Sequence, residues 1–225
     1  MGIRERKQRE RERRRQQILV AAKRVFSTKG FGGATMEDIA REAELSAGTL
    51  YLYFRNKDEL FSSLFIRVLQ YLNLRLEHVI ATTADQGVEE RLEALNAAML
   101  DVYRFDPVML VNLFHLQSSD TMRNLSEDLL EQIRNLSDKS LRTLAEVFEP
   151  GVREGRIREL PAAVLADIAW ALFSGVVLWE ESKRMIDTSK EYLESTLETA
   201  FGIFIRGITV PGPMAATPPL VGRGT

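Results

Sequence analysis

Thr35-Met36-Glu37-Asp38-Ile39-Ala40-Arg41-Glu42-Ala43-Glu44-Leu45-Ser46-Ala47-Gly48-Thr49-Leu50-Tyr51-Leu52-Tyr53-Phe54 is the stretch that decides how this chain folds. Ile39, Ala40 and Ala43 recur at helical spacing, which predicts a short helix over 36–43 with one apolar face. Thr35 and Asp38 have the form of a capping box at its start. Glu44-Leu45-Ser46 then turns the chain, and Ser46 is placed to cap a second short helix over 47–53. Two short helices, a tight turn and small alanines at their contact predict a helix-turn-helix. Leu50 and Phe54, four residues apart, point inward. Ala47, Gly48, Thr49, Tyr51 and Tyr53 are left on the side that can meet DNA.

The chemistry of that side suits a duplex. Small Ala47 and Gly48 let the helix N-terminus come close, where free backbone N–H groups suit phosphate oxygens. Thr49 and the two tyrosines offer hydroxyls to phosphates or base edges, and ring faces or methyls to thymine methyls. Lys57, at the start of the next helix, adds a cation near the DNA backbone. Tyr51 and Tyr53 read equally well as half-buried packing residues, and Ser46 and Thr35 as caps, which is compatible with phosphate contact.

Charge points the same way. The net charge of −2 over 225 residues hides an asymmetry: residues 1–57 hold 14 Lys+Arg against 7 Asp+Glu, a net of +7, and the remainder carries −9. A nucleic-acid-facing N-terminal part is expected from it. There is no cysteine, so no disulfide, thiolate metal site or cysteine nucleophile is available. With no apolar signal region at the charged N-terminus, a cytoplasmic, nucleoid-associated protein is expected.

Working outward, every regular stretch has helical periodicity and none alternates like a strand. Nine helices are predicted, over 8–29, 36–43, 47–53, 57–84, 87–105, 107–118, 121–154, 162–186 and 189–209. Asn56 with Glu59 and Thr188 with Glu191 repeat the capping-box form, and Asp106-Pro107 reads as an N-cap followed by a proline. Gly30, Gly87 and Gly155 sit where helices should stop. Pro150 is expected to kink its helix or end it early. The proline- and glycine-rich tail 210–225 reads as disordered. The apolar run from Ala162 to Trp179 is short for a bilayer span of about 20 residues, and a buried helix is expected instead.

Over about Arg14 to Leu74 the chain resembles the tetracycline-repressor (TetR) family. The resemblance rests on Ile18-Leu19, Ala21-Ala22, Phe26, Gly30-Phe31, Ala34-Thr35, Asp38-Ile39-Ala40, Ala43, Ser46, Gly48-Thr49-Leu50-Tyr51, Tyr53-Phe54, Asn56-Lys57 and Glu59-Leu60. It implies an all-α homodimer in which three N-terminal helices bind DNA, a C-terminal bundle senses a ligand and the last two helices dimerise. It also implies that Thr35, Gly48, Thr49, Tyr51, Tyr53 and Lys57 lie at the DNA. The expected organisation is a charged arm (1–13), a DNA-binding domain (14–74), a ligand-binding and dimerisation domain (75–209) and the tail. One departure stands out: no Arg, Lys, Gln or Asn lies between Ser46 and Phe54, so bidentate base readout is modest. The arginine-rich stretch from Arg4 to Arg15 can compensate in the minor groove, or it is a solvated helix extension laced with pairs such as Glu5/Arg9.

In the C-terminal half, Leu165, Ile168, Leu172, Val176 and Trp179 line one face, and Leu197, Ala200 and Phe204 another, as an isologous dimer seam would. Met99, Tyr103, Met109, Leu113, Phe114 and Trp170 suit the lining of a pocket for a small apolar or amphipathic effector, with His115 and Tyr103 as polar groups. They suit a plain core as well. No di-iron Glu-x-x-His pair, aspartate-rich run or glycine-rich phosphate loop is present, and no enzyme activity, metal or cofactor is expected. The function expected is a homodimeric, DNA-binding transcriptional regulator, a repressor that its effector releases from a double-stranded operator. The alternative is a ligand-independent, chromosome-bound scaffold of the same fold.

Overall fold

In the computed structural model, residues 2–107, 110, 125–187 and 192–210 are described, and of Ile3 and Met185 only the backbone. Eight helices span these residues: α1 (Ile3–Gly33), α2 (Met36–Glu42), α3 (Ala47–Tyr51), α4 (Lys57–Thr82), α5 (Val88–Phe105), α6 (Glu127–Arg153), α7 (Ala162–Ile186) and α8 (Leu193–Ile208). Among the described residues there is no strand. A single isolated bridge, Ile157 to Thr209, pins the loop after α6 to the end of α8.

Several boundaries differ from expectation for identifiable reasons. Helix α1 begins near residue 3 because Arg, Glu and Gln all propagate a helix well without burial. Helical geometry breaks at Gly30, whose φ of 68° is open to glycine at little cost, and resumes to Gly33. Gly87 precedes α5 as its N-cap and does not end a helix. Helix α6 starts at Glu127 and not near Thr121, because Ser126 has extended backbone and Glu127 and Asp128 follow as first-turn acids. Pro150 lies inside the last turn of α6, which ends at Arg153. Helix α8 starts at Leu193. The predicted Thr188 cap, most of the helix over 107–118 and the tail from 211 lie outside the described residues.

Two packing centres share α4. In the head, which runs from α1 to the first turns of α4, Ile18, Ala22 and Phe26 of α1 meet Ile39 and Ala40 of α2, Leu50 and Phe54. Phe61 clasps α1 with its ring edge-on to Phe26 at 5.1 Å and 4.8 Å from Phe31. In the body, Leu69, Leu72 and Leu76 of α4 pack with Met99 of α5, Leu144 and Phe148 of α6, Phe173 of α7 and Phe201 of α8. Asn73, buried in α4, donates to Leu136 O (3.1 Å) and Ser140 Oγ (2.9 Å) of α6, fixing the register of the two helices. Helix α4 runs unbroken through residue 74, so head and body are joined by a rigid rod and not by a linker.

Candidate nucleic-acid interface

The head is built by its caps. Thr35 Oγ1 accepts from Asp38 N (3.1 Å), and Asp38 Oδ2 accepts from Thr35 N (3.2 Å), a reciprocal capping box. The Lys29 ammonium, 2.7 Å from Asp38, and the Thr35 cap hold the Asp38 carboxyl below its ordinary range. Ser46 Oγ accepts from Thr49 N (3.1 Å) and lies 2.8 Å from Thr49 Oγ1. Asn56 Oδ1 likewise accepts from Glu59 N at 2.7 Å, starting α4.

What faces outward is a compact patch. Thr35, Ser46, Gly48 and Tyr51 are exposed, and Ala47, Thr49 and Tyr53 are half-buried, with Ala47 and Tyr53 resting on the core. Tyr51 is 48 % exposed and Leu52, overlooked by the sequence reading, 74 %. Leu52 lies two residues past inward-facing Leu50, a spacing that puts it off the buried face, and this signal was available. Gly48 is notable for what it does not do. Its φ is not positive, and a Cβ there would touch only Ser46 Oγ, at 3.9 Å. Nothing inside the protein requires glycine.

Two cations that the sequence assigned to DNA are engaged in the frame. Lys57 Nζ donates to Phe31 O (2.7 Å) and Ala34 O (3.0 Å) and sits 4.5 Å above the Phe31 ring, so it closes the bend between α1 and α2. Arg15, read as part of the minor-groove arm, donates to Ser63 Oγ (2.9 Å) and Tyr53 O (3.4 Å) and stacks 4.3 Å from the Phe54 ring. It locks α1 to the chain just past the end of α3. Carbonyl acceptors and ring faces cannot be read from sequence spacing, which is why both roles were missed.

In the body the residues grouped from sequence separate. Leu165 and Leu197, expected at a dimer seam, are fully buried within the chain and do not face outward. Leu172, Val176, Ala200 and Phe204 are half-buried, and Ile168 and Trp179 are 43 % and 63 % exposed. Met99 is wholly buried core. Trp170 closes an apolar cavity of about 110 Å³ with Leu69, Leu72 and Leu76 of α4 and Ser137, Ser140, Leu141 and Leu144 of α6. Tyr103 instead lines a separate, polar cleft with Glu180, Glu181, Arg184 and Glu194. The two do not share a pocket. Met109, Leu113, Phe114 and His115 lie outside the described residues.

Residues 18–64 match the family described as bacterial regulatory proteins, tetR family. The transcriptional regulator SrpR of Pseudomonas putida is 28 % identical over 200 residues, covering 87 % of this chain and 85 % of SrpR. The TetR-family regulator PfmR of Thermus thermophilus superposes with a TM-score of 0.68 at 20 % identity, over 84 % of this chain and 97 % of PfmR. The regulator FadR of Bacillus subtilis, solved with stearoyl-CoA, superposes with a TM-score of 0.62 at 19 % identity, over 86 % and 98 %. The head carries the family's sequence, and the whole chain its helical architecture. Residues 18–64 are thus similar in sequence to the tetR family of bacterial regulatory proteins, and the fold of the chain is that of solved TetR-family transcriptional regulators.

Proposed function

We propose that the protein acts as a homodimeric repressor that grips a two-fold operator with the N-terminus of α3 and lets go when an apolar or amphipathic effector enters the body. Gly48 carries the DNA reading. A glycine near the start of an exposed helix costs roughly 0.5–1 kcal/mol relative to alanine, and no internal contact explains it. Its use is close approach to something outside the chain. Around it, Thr35, Ser46, Ala47 and Thr49 offer hydroxyls and helix N-termini to phosphates, and Tyr51, Tyr53 and Leu52 offer rings and methyls to base edges. Lys57 serves by holding the bend that sets α2 and α3, with any phosphate contact secondary.

Dimerisation is supported by α7 and α8, whose apolar outer faces are left uncovered among the described residues. The effector reading is supported by the Trp170 cavity and by the stearoyl-CoA that FadR binds. At about 110 Å³ the cavity falls short of the roughly 300–1,000 Å³ of a drug-sized site. An effector must therefore push α4 from α6, so it favours a state other than the empty one, as a release mechanism needs. The same smallness favours the rival, a ligand-independent scaffold bound to the chromosome. A thermal-shift screen of acyl-CoA thioesters, sterols and aromatic acids separates the two.

The DNA reading is tested by Gly48→Ala. The added methyl has room in the free protein, so unfolding by urea should show equal or slightly greater stability. Operator affinity should drop by about tenfold or more. A variant that binds like the parent removes α3 from the interface.

A further inference from the structure

Residues 3–14 are a helix extension, one of the two readings the sequence left open. They continue α1 outward as helix, and residues 4–14 are exposed throughout. A helix of this length is marginal alone, but here it grows from a nucleus already buried in the head, so each added residue needs only propagation. Eleven residues, 4–14, project about 17 Å beyond Arg15 at 1.5 Å per residue.

The basic residues of this projection are not scattered. Arg4 and Arg11 stand in seven-residue register with buried Ile18 and Val25, and Lys7 and Arg14 with buried Ala21. Seven residues bring a helix back to nearly the same face. The stripe that packs inward within the head therefore continues past its edge as a row of four cations. Arg15, between the two regions, points the same way and contacts the Tyr53 carbonyl and the Phe54 ring at the end of the recognition helix. The basic row thus projects on the side of the head where α3 ends. Arg6 and Arg13 lie on the other side, in register with exposed Val20, and Glu5 and Glu12 run along one edge.

We infer that residues 4–14 form a helical outrigger whose Arg4/Lys7/Arg11/Arg14 face lies along the phosphate backbone flanking the sequence that α3 reads. Charge complementarity selects a polyanion of regular charge spacing. Shape excludes insertion into the minor groove, because a helix 10–12 Å across does not enter a groove about 6 Å wide. The outrigger adds affinity and salt dependence without base preference, which suits a recognition helix poor in base-reading side chains. The inference rests on the DNA-binding role proposed above.

Two triple variants that remove equal charge test it. Arg4→Ala/Lys7→Ala/Arg11→Ala removes three of the four cations of the basic face, and Arg6→Ala/Arg9→Ala/Arg13→Ala removes three from the opposite side. Alanine preserves the helix in both, which circular dichroism checks. Binding is measured over a salt series to a duplex that the parent protein has selected from a random-sequence pool. The first variant should lose at least about tenfold in affinity, with a salt-dependence slope shallower by up to about three per protomer, equally on A·T-rich and G·C-rich flanks. The second should lose much less. Equal losses from both would reduce the arm to general electrostatics and overturn the inference, as would no loss from either. A loss confined to A·T-rich flanks would overturn it in favour of an unwound arm in the minor groove. If the parent selects no duplex at all, the DNA-binding reading itself falls, which is distinguishable from these outcomes.

Discussion

Glu44 holds the turn between α2 and α3 in the left-handed region, with φ 55°, the one described non-glycine residue that does. The turn demands it. Leu45 N reaches back to Ala40 O at 2.8 Å and Glu44 N to Arg41 O at 3.1 Å, closing the C-terminus of α2 as its carbonyls require. A side chain at such a φ costs roughly 1–2 kcal/mol. Glu44→Gly should therefore stabilise the protein by about 1 kcal/mol, less the entropy glycine adds to the unfolded chain, as a raised urea midpoint with unchanged slope. A lower midpoint would mean that the carboxylate makes a compensating interaction. At this scale the sequence was legible where chemistry is local: Thr35, Ser46 and Asn56 cap as their types and spacings predict. It was not legible where a side chain reaches across the fold. Lys57 and Arg15 look like free cations in sequence because their acceptors, backbone carbonyls and the Ser63 hydroxyl, lie twenty or more residues away.

Helix α7 shows what can and cannot be read of an element. Its bounds, 162–186, are those expected, because Pro161 fixes its start and apolar periodicity does the rest. Its burial differs from expectation. Ala162–Arg184 is long and apolar enough to cross a membrane, yet only 28 % of its most apolar stretch is buried in the protomer. The inner face, with Leu165, Ala169, Phe173 and Val177, packs on the body. Val164, Ile168, Ala171, Gly175 and Trp179 form the outer stripe, with small Ala171 and Gly175 allowing close approach. Periodicity gave both faces the same apolar character, so Leu165 and Ile168 were indistinguishable before the fold sorted them. A second copy of the same stripe, crossed on it about a two-fold axis, would cover it. Ile168→Glu separates the two faces experimentally. The position is already wet in the protomer, so the fold should survive, whereas an unpaired glutamate in a dimer seam costs several kcal/mol. Sedimentation should show folded monomers, with dimer dissociation raised a hundredfold or more and operator affinity lost with it. A stable dimer carrying this substitution would place the seam elsewhere.

Taken whole, the described residues form a head and a body with one covalent junction and at least one that is not. Helix α4 passes through both. The second junction is the Lys23–Asp106 pair, 2.8 Å apart, which ties the flank of α1 to the end of α5. The Asp106 side chain is 8 % exposed and that of Lys23 44 %, so the pair sits half in the body. The adjoining Phe105 ring stacks on Tyr71 of α4 at 4.2 Å with 11° between planes. Tyr71 lies between Leu69 and Leu72, which line the Trp170 cavity. A displacement of α4 at the cavity thus reaches α1 by a short chain of contacts, beside the route along α4 itself. Neither sequence spacing nor the family resemblance marks Lys23, because its partner lies 83 positions downstream. Lys23→Met keeps the stem and removes the charge, leaving the buried carboxylate short of one cation. It should cost about 1–2 kcal/mol, below the figure for a fully buried pair because Lys23 is partly solvated. Adding Asp106→Asn should recover part of that loss, as coupled neighbours do. The functional expectation follows from geometry. Two recognition helices must sit about 34–36 Å apart to enter successive major grooves. A head freed from its strut samples that spacing less often, so Lys23→Met should broaden the head-to-head distance distribution between spin labels in the dimer and weaken operator binding severalfold, with Tyr51 and Gly48 untouched. If stability falls while the distances and the affinity stay as in the parent, the pair is a staple of the fold and α4 alone sets the heads.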